Sequence, residues 1–353
     1  MRVILFAAVS ALVLVTGPAG VSAAALTNQL KAHPSPYLAL HGADPVAWQD
    51  WNEAAVARAR REGKLLYLSI GYFSCHWCHV MQRESYRNTE IARYLNDRFV
   101  PVKIDRELEP ALDARLSEFA EATRGMSGWP LNVFLTPDGH PLYALLYAPP
   151  AEFLDTLKKL QELWQREPDA LRRLARAEAR PARGPGPARV DAARTRAYAT
   201  KIVEAARARA DTIHGGFGEQ SKFPSVPILE FLLTQQATTP SPALAELLTQ
   251  ALDAMAQLGL RDHIGGGFFR YTVDPGWNTP HFEKMLYDNA ALLGLYAEAA
   301  ARGGDAEFVD AADGIVGWLQ REMLLPDGGC ASAMDADSEG EEGRYYLWTP
   351  DTA

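Results

Sequence analysis

The chain has few cysteines and no excess of basic residues. Three cysteines in 353 residues exclude a small scaffold held together by disulfides. Lys and Arg number 35 against 44 Asp and Glu, which gives a formal net charge of −9. Because a nucleic-acid binder needs surplus positive charge, nucleic acids and other polyanions are excluded as expected partners. The length and the 48% hydrophobic content suit a soluble protein with two cored domains.

The N-terminus has the three parts of a secretory signal peptide. Arg2 precedes an apolar run from Val3 to Val15, and the small-residue stretch GPAGVSAAA follows it. The run has about 13 residues, whereas a helix needs roughly 20 to span a bilayer, so an uncleaved anchor is the less favoured interpretation. The sequence therefore predicts a signal peptide over 1–25, a periplasmic or secreted location, and no membrane span in the mature chain.

The first half alternates helices with short apolar strands. The predicted strands are LLYLSIGY at 65–72, FVPVKIDR at 99–106, and two more within 129–147 that are joined by a Pro-Asp-Gly turn. Apolar residues at helical spacing begin at Val46, and Gly63 marks the end of that helix. This pattern predicts a mixed α/β domain over 26–165.

The composition changes after residue 165. Residues 166–190 predict a helix followed by a linker rich in Pro and Gly. Beyond the linker, Ala- and Leu-rich stretches predict an all-α domain of paired helices over 191–353. These helices are expected near 190–210, 226–237, 242–260, 282–301 and 305–324. No closing helix follows the last loop, so the sequence predicts an incomplete domain.

The stretch Cys75-His76-Trp77-Cys78-His79 carries the clearest chemistry of the chain. Only a thiolate attacks a disulfide, and a cysteine at the start of a helix has its anion stabilised by free N–H groups. Cys75 occupies that position at the predicted strand-to-helix junction, and Cys78 lies one turn later on the same face. The pattern predicts Cys75 as the attacking thiol and Cys78 as the resolving thiol, with a protonated His76 lowering the pKa of Cys75.

Three other interpretations of this stretch stay open. Cys-x-x-Cys-His is also the attachment signature of c-type haem, with His79 as the axial ligand. A zinc site is disfavoured because no second Cys/His cluster is evident, and the last alternative is a purely structural pair of cysteines. The redox interpretation is favoured, and it requires neither a metal nor another cofactor. The remaining cysteine, Cys330, is expected to be a buried small apolar residue.

Pro130 is a further candidate site residue. The segment SGWPLNVF places it directly before an apolar strand, about fifty residues after the dithiol. Thiol-redox folds commonly hold a cis-proline loop against the cysteine pair, and a cis X–Pro bond costs only about 0.5–1 kcal/mol over trans. An ordinary trans proline at the start of the strand is the alternative.

The second half carries a second candidate site. The segment HFEKMLYDNA predicts a helix with His281, Lys284 and Asp288 on one face. Glycosidases use two carboxylates about 5–9.5 Å apart, which the loop DADSEGEE could help to supply. The candidate residues are His281, Glu283, Asp288, Asp335 and Asp337. The favoured interpretation of these acids is nevertheless helix capping, ion pairing or cation binding.

Seven segments of the chain resemble one known family. In the first half they are SPYLALHGADPVAWQDW, LSIGYFSCHWCHVMQRESY, VPVKIDRELEP and SGWPLNVFLTPDGHPLY. These resemble the thioredoxin-like family whose animal member is called spermatogenesis-associated protein 20. In the second half, HGGFGEQSKFPS, DHIGGGFFRYTVDPGWNTPHFEKMLYDNA and SAMDADSEGEEGRYYLW resemble the α/α-toroid domain of that family, which is similar to six-hairpin glycosidases.

The resemblance implies a thioredoxin fold joined to an α/α toroid. It also implies the catalytic-cysteine roles for Cys75 and Cys78 and the loop role for Pro130. The chain departs from the family pattern at 44–48, which reads Asp-Pro-Val-Ala-Trp instead of Asn-Pro-Val-Asp-Trp, and at 144–149. Both departures lie outside the dithiol and put the substrate surface in doubt more than the chemistry. The expected helices are too few for a full toroid.

The predicted function is thiol–disulfide exchange through the Cys-His-Trp-Cys motif, with a protein or a small-molecule disulfide as substrate. Carbohydrate binding or glycoside processing by the helical domain, with the thioredoxin-like part as a scaffold, is the alternative. Haem attachment is a lesser alternative.

Overall fold

The computed structural model describes residues 25–126, 128–178, 191–303 and 305–348. Apart from Ala25, the predicted signal peptide lies outside these residues, and so does the Pro- and Gly-rich part of the predicted linker, 179–190. None of the helices within the described ranges is long and apolar enough to cross a membrane.

The first domain is built on a four-stranded mixed sheet. Its strands are β1 (Leu65–Gly71), β2 (Phe99–Asp105), β3 (Leu131–Leu135) and β4 (Pro141–Leu145). Their order across the sheet is β2-β1-β3-β4, with β1 and β2 parallel and β3 antiparallel to its two neighbours. The turn between β3 and β4 contains Gly139, whose φ of 87° suits glycine. Each strand expected from the sequence is present.

Helices cover both faces of this sheet. The helices of the first domain are α1 (Pro36–Leu40), α2 (Glu53–Glu62), α3 (His76–Met81), α4 (Thr89–Arg98), α5 (Pro110–Arg124), α6 (Pro150–Arg166) and α7 (Pro168–Glu178). Leu65 and Tyr67 pack with α4 and α6, whereas Leu66 and Leu68 pack with α2 and α5. All seven residues of β1 are therefore buried. The result is the thioredoxin-like α/β arrangement that the resemblance implies.

The start of α2 differs from the sequence prediction. The helix begins at Glu53 rather than near Val46, because the Asn52 side chain caps it by accepting a hydrogen bond from the backbone N–H of Ala55 at 3.0 Å. Val46 and Trp48 are buried in the irregular segment before the helix. Their spacing matched a helical period only by coincidence.

Helix α7 packs on the first domain. Ala175 is buried, and Arg176 donates a hydrogen bond at 3.0 Å to Asp138 in the turn between β3 and β4. The helix predicted at the start of the segment 166–190 therefore belongs to the first domain.

The second domain is mainly helical. Its helices within the described residues are α8 (Ala192–Arg209), α9 (Val226–Thr238), α10 (Pro242–Gln257), α11 (Leu286–Gly303) and α12 (Ala306–Trp318). Helix α9 packs on α10, and α11 packs on α12, around an apolar core that includes Leu229, Leu248 and Leu292. These paired helices confirm the predicted helical domain.

Short strands also lie in the loops of this domain, and the sequence pattern, which predicts an all-α domain over 191–353, does not show them. They are β5 (Tyr271–Thr272), β6 (Pro280–His281), β7 (Lys284–Met285), β8 (Ala333–Met334), β9 (Asp337–Ser338) and β10 (Glu341–Glu342). They form three antiparallel pairs: β5 with β6, β7 with β8, and β9 with β10.

The predicted helical face of His281, Lys284 and Asp288 is also wrong. His281 lies in β6 and Lys284 in β7, while Asp288 is in the first turn of α11. The backbone before Leu286 is bonded to neighbouring loops: the N–H of Arg270 donates to the carbonyl of Glu283 at 2.8 Å. These partners replace the hydrogen bonds that the backbone would make if α11 began before Leu286.

Candidate functional site

Cys75 and Cys78 lie at the carboxyl end of β1, where the chain turns into α3. They form a disulfide with their Cα atoms 5.2 Å apart. Cys75 is the N-cap residue of α3, and its sulfur accepts a hydrogen bond from the backbone N–H of Cys78 at 3.2 Å. The same N–H group is placed to stabilise a Cys75 thiolate after reduction. The predicted position of Cys75 at a strand-to-helix junction is confirmed.

The disulfide is packed inside the protein. A Cβ on residue 71 would lie 2.6 Å from Cys78 Sγ and would also overlap the hydroxyl oxygen of Tyr37, so only glycine fits there. Cys75 is 3% exposed and Cys78 is 1% exposed. A substrate must therefore enter the protein to reach either sulfur.

A cleft between the two domains leads to Cys75. Its volume is about 450 Å³. Both domains line it, with Tyr72, Cys75, His76, Trp77, Gly128, Trp129 and Leu146 on one side and Ser221, Phe223, Arg270, Tyr271, His281 and Glu283 on the other. The cleft has aromatic walls and a small set of charged groups, as small-molecule sites usually do.

The loop before β3 reaches the same end of the sheet. The Trp129–Pro130 peptide bond is cis, as the sequence predicts. Leu131 pairs with Ile70 near the end of β1, which places Pro130 beside the strand that leads to Cys75. Trp129 lines the cleft, and its indole N–H donates a hydrogen bond to Asp113 at 2.9 Å.

His76 joins the dithiol loop to the second domain. Its Nδ1 lies 2.6 Å from Asp337 Oδ1, and its Nε2 lies 3.4 Å from Glu342 Oε2. Glu342 also contacts His281, with 2.5 Å between Oε1 and Nδ1. The ring of His76 thus points to carboxylates of the helical domain, a set of partners that the sequence did not predict for it.

Glu283 is the most buried acid of the cleft, with 1% exposure. Its two carboxylate oxygens accept hydrogen bonds from the hydroxyl groups of Ser74 at 2.8 Å and Tyr72 at 3.2 Å. Arg270 Nε lies 3.8 Å and His281 Nε2 lies 3.5 Å from the same side chain. One carboxylate of the helical domain therefore holds the loop directly before Cys75.

His281 is a buried cation at neutral pH. Burial alone would lower its pKa, but the hydrogen bonds to Glu283 and Glu342 outweigh burial and raise the pKa to about 9. The pKa of Glu342 shifts downward: its own burial opposes this change, and the contact with His281 causes it.

Asp288 lies beside Arg270, with 3.2 Å between Oδ2 and Nη1. Burial raises the pKa of Asp288 to about 6, although the guanidinium of Arg270 favours the charged form. The pairing of Asp288 with a basic side chain agrees with the favoured interpretation of the acids in this domain.

The other predicted residues have separate partners. Asp335 Oδ2 lies 3.4 Å from Nε2 of His79, without hydrogen-bond geometry. Lys284 contacts Asp262 at 2.6 Å instead of entering the cleft. Cys330 is an exposed free cysteine, so the expectation that it is buried is wrong; it pairs with Leu324 through a single β-bridge at the surface.

The two candidate sites of the sequence analysis are therefore one composite region. His281 and Glu283 line the cleft with Cys75, and Asp337 binds His76, which also lines it. No local pattern in the sequence marks Ser74, Trp129 or Arg270 as site residues. Their only signal was membership of the long segments that carry the family resemblance. Within the described ranges, no group of three or more His, Cys, Asp or Glu side chains is arranged to hold a metal ion.

Comparisons with known proteins agree with this architecture. Residues 27–180 match the family model Thioredox_DsbH, described as "Protein of unknown function, DUF255". Human spermatogenesis-associated protein 20 is 38% identical to the chain over 347 residues, and the mouse protein of the same name is 38% identical over 349. The chain is therefore similar in sequence to spermatogenesis-associated protein 20. The match covers 91% of the chain but only 44% of the human protein and 43% of the mouse protein, so the chain spans less than half the length of these relatives.

Two solved structures match parts of the chain. Cellobiose 2-epimerase from Spirochaeta thermophila is 21% identical, with a TM-score of 0.36, and the match covers 40% of each chain. A DsbH oxidoreductase is 19% identical, with a TM-score of 0.27, and the match covers 33% of this chain and 85% of that one.

Proposed function

We propose that this protein exchanges thiols and disulfides through Cys75 and Cys78, on substrates that enter the cleft between its two domains. The observation that carries the proposal is the Cys75–Cys78 disulfide at the start of α3, where the N–H of Cys78 donates to Cys75 Sγ. A family model for thioredoxin-like domains matches this half of the chain.

The reaction starts from the reduced protein. The Cys75 thiolate attacks one sulfur of the substrate disulfide, a mixed disulfide forms, and the first substrate thiol leaves. The Cys78 thiolate then attacks Cys75 Sγ, which releases the second thiol and restores the Cys75–Cys78 disulfide. Two electrons pass from the protein to the substrate, and the reverse sequence would oxidise a substrate dithiol.

The cysteine variants test this assignment. In a Cys330→Ser background, which removes the exposed thiol, Cys75→Ser is expected to abolish turnover of a model disulfide by the full chain. Cys78→Ser is expected to trap the substrate on Cys75 as a mixed disulfide that mass spectrometry detects. Unchanged turnover in Cys75→Ser would rule the proposal out.

Carbohydrate binding is the second candidate, and the composition of the cleft favours it. Trp77, Trp129 and Tyr271 offer aromatic faces for a sugar ring, while Arg270 and Glu283 offer hydrogen-bonding groups. Glycan binding that survives Cys75→Ser but is lost in Asp288→Ala, which removes a carboxylate partner of Arg270, would support this function.

Two further assignments stay proposals. Export is tested by locating the full-length chain in periplasmic and cytoplasmic fractions, with processing near Ala25 as the expected result. Haem attachment would use both cysteines of the Cys75–Cys78 pair, and an absorbance spectrum of the purified protein with a Soret band would support it.

A further inference from the structure

The accessibility of the dithiol indicates the size of its substrate. Cys75 and Cys78 are 3% and 1% exposed, and the cleft that reaches Cys75 has a volume of about 450 Å³. Cavities of roughly 300–1,000 Å³ accommodate small organic ligands. A disulfide within a folded protein would have to bring its surrounding backbone into the same space.

Polar contacts join the two domains at the residues that flank Cys75 in the sequence. Glu283 accepts from Ser74 at 2.8 Å, one residue before Cys75, and Asp337 lies 2.6 Å from His76, one residue after it. Glu283 is itself buried against Arg270 and His281. Opening the cleft would leave these charged groups without their partners, which is unfavourable for buried ions.

We propose, on the basis of the function proposed above, that the cleft selects low-molecular-weight disulfides over disulfides of folded proteins. The aromatic side chains of Trp77, Trp129 and Tyr271 would contact the apolar part of such a molecule. The reaction balances as one small disulfide plus the reduced Cys75–Cys78 pair, giving two small thiols plus the protein disulfide. A dithiol reductant such as dithiothreitol returns the protein to its reduced form.

The test compares two substrates and two variants of the full chain. The probes are 2-hydroxyethyl disulfide and insulin. Ser221 is an exposed residue that lines the cleft, so Ser221→Trp should fill the cleft with little effect on folding. Its neighbour Gln220 is exposed and does not line the cleft, so Gln220→Trp is the matched control.

We expect turnover of 2-hydroxyethyl disulfide to exceed that of insulin by at least about tenfold in kcat/KM, a difference of about 1.4 kcal/mol. Ser221→Trp should lower the small-molecule rate by a similar factor, and Gln220→Trp should leave it unchanged. Equal rates on both probes, or a Ser221→Trp variant as fast as the control, would overturn the size selection while leaving the redox function intact. If the unmodified chain reduces neither probe, the proposed function and this inference both fail.

A second observation concerns the buried side of the dithiol. Tyr37 is 1% exposed, and its hydroxyl has no hydrogen-bond partner among the described residues. Its oxygen and Cys78 Sγ are the two atoms nearest to one point, the position that a Cβ on residue 71 would occupy. A buried hydroxyl without a partner is unusual because burial removes its bonds to water.

The geometry points to Tyr37 as the hydrogen-bond donor for the Cys78 sulfur once the disulfide opens. The phenol would favour the Cys78 thiolate, which must attack Cys75 Sγ to release the substrate, and it is not consumed. The other charged or titratable groups around Tyr37 are Lys103, whose ammonium lies 5.1 Å from the ring centroid, His41, whose ring centroid lies 5.2 Å from that of Tyr37, and Asp44, Asp105, Tyr72 and Tyr86.

Tyr37→Phe tests this role because it removes one oxygen and keeps the ring. The alkylation rate of Cys78 against pH is measured in a background of Cys75→Ser and Cys330→Ser, where Cys78 is the remaining cysteine. We expect Tyr37→Phe to lower the rate near neutral pH about tenfold and to move the pH profile upward, since hydrogen bonds to charged groups are the stronger ones. Tyr94→Phe, whose ring packs on Phe99 at the start of β2, should change neither. An unchanged profile in Tyr37→Phe would overturn the assignment.

Discussion

Ser74 and Glu283 are 209 residues apart in the sequence, and the hydroxyl of Ser74 donates a 2.8 Å hydrogen bond to the carboxylate of Glu283. This contact joins the residue before Cys75 to the loop that leads into α11. Tyr72 donates to the same carboxylate at 3.2 Å. The helical domain therefore contributes directly to the surroundings of the dithiol, and a thioredoxin-like domain alone would lack these partners.

Removing the Glu283 side chain should weaken the contact between the domains. Glu283→Ala leaves Arg270 and His281 without the carboxylate that they share, and loss of one partner from a buried ion pair costs about 3–5 kcal/mol. We expect a fall of this size in the free energy of unfolding, measured by urea denaturation. Glu283→Gln keeps an oxygen that accepts from Ser74 and should cost less.

The matched control is a carboxylate in an exposed ion pair. Glu298 contacts Arg302 one turn later on α11, and both side chains are exposed. Because exposed pairs of this kind contribute only about 0.3–0.5 kcal/mol, Glu298→Gln should have little effect. If Glu283→Ala and Glu298→Gln are equally stable, Glu283 does not hold the domains together.

Gly71→Ala should disturb the packing around the disulfide. The added methyl group would lie 2.6 Å from Cys78 Sγ at a buried position, and overpacking of this kind costs about 1–3 kcal/mol. We expect a lower melting temperature and faster reduction of the disulfide by dithiothreitol. Gly303→Ala is the control, since a Cβ there meets nothing within 4 Å. Equal melting temperatures for the two variants would contradict the close packing at Gly71.

Local patterns were sufficient to predict the framework of the first domain. The continuous apolar run at 65–72 specifies a strand buried on both faces, and the Pro-Asp-Gly turn specifies the hairpin of β3 and β4. The predicted helix start near Val46 was wrong because apolar spacing in an irregular segment matched a helical period. The capping side chain of Asn52 was the better signal for that boundary.

The assembly of the site could not be predicted in the same way. His76 and Asp337 meet across 261 positions of sequence, and this contact depends on how the two domains pack. Both residues are candidates from the sequence, but they belong there to two separate predicted sites. Their separation in the chain gives no periodic signal, and the two-residue strands that position His281 and Asp337 are too short to show any alternation.

Cys330 should react differently from the other two cysteines. It is exposed and free, whereas Cys75 and Cys78 are joined and buried. Iodoacetamide added to the native oxidised protein is expected to alkylate Cys330 alone, as mass spectrometry of the peptides would show. After treatment with dithiothreitol, Cys75 and Cys78 should also become labelled. Labelling of Cys75 without reductant would contradict the disulfide.

The contribution of His281 to the stability of the protein should fall as the pH rises from about 6.5 to 9, through loss of its proton. Its pKa is about 9 in the folded protein and 6.5 ordinarily, because Glu283 and Glu342 outweigh the effect of burial. The folded state therefore holds this proton more tightly, and the resulting stabilisation is complete below pH 6.5 and lost as the pH passes 9. The pKa difference corresponds to about 3 kcal/mol.

Lys103 changes the stability of the protein in the opposite direction over part of this pH range. Burial lowers its pKa to about 7, so the folded state releases that proton first and gains stability as the pH rises further. The decisive measurement is thus the difference in urea midpoint between the unmodified chain and His281→Gln, taken at intervals from pH 6 to 9.5, because Lys103 contributes equally to both proteins. We expect the difference to be largest near pH 6 and to shrink steadily toward pH 9.5. A difference that stays constant across the range would show that His281 does not carry the additional proton in the folded protein.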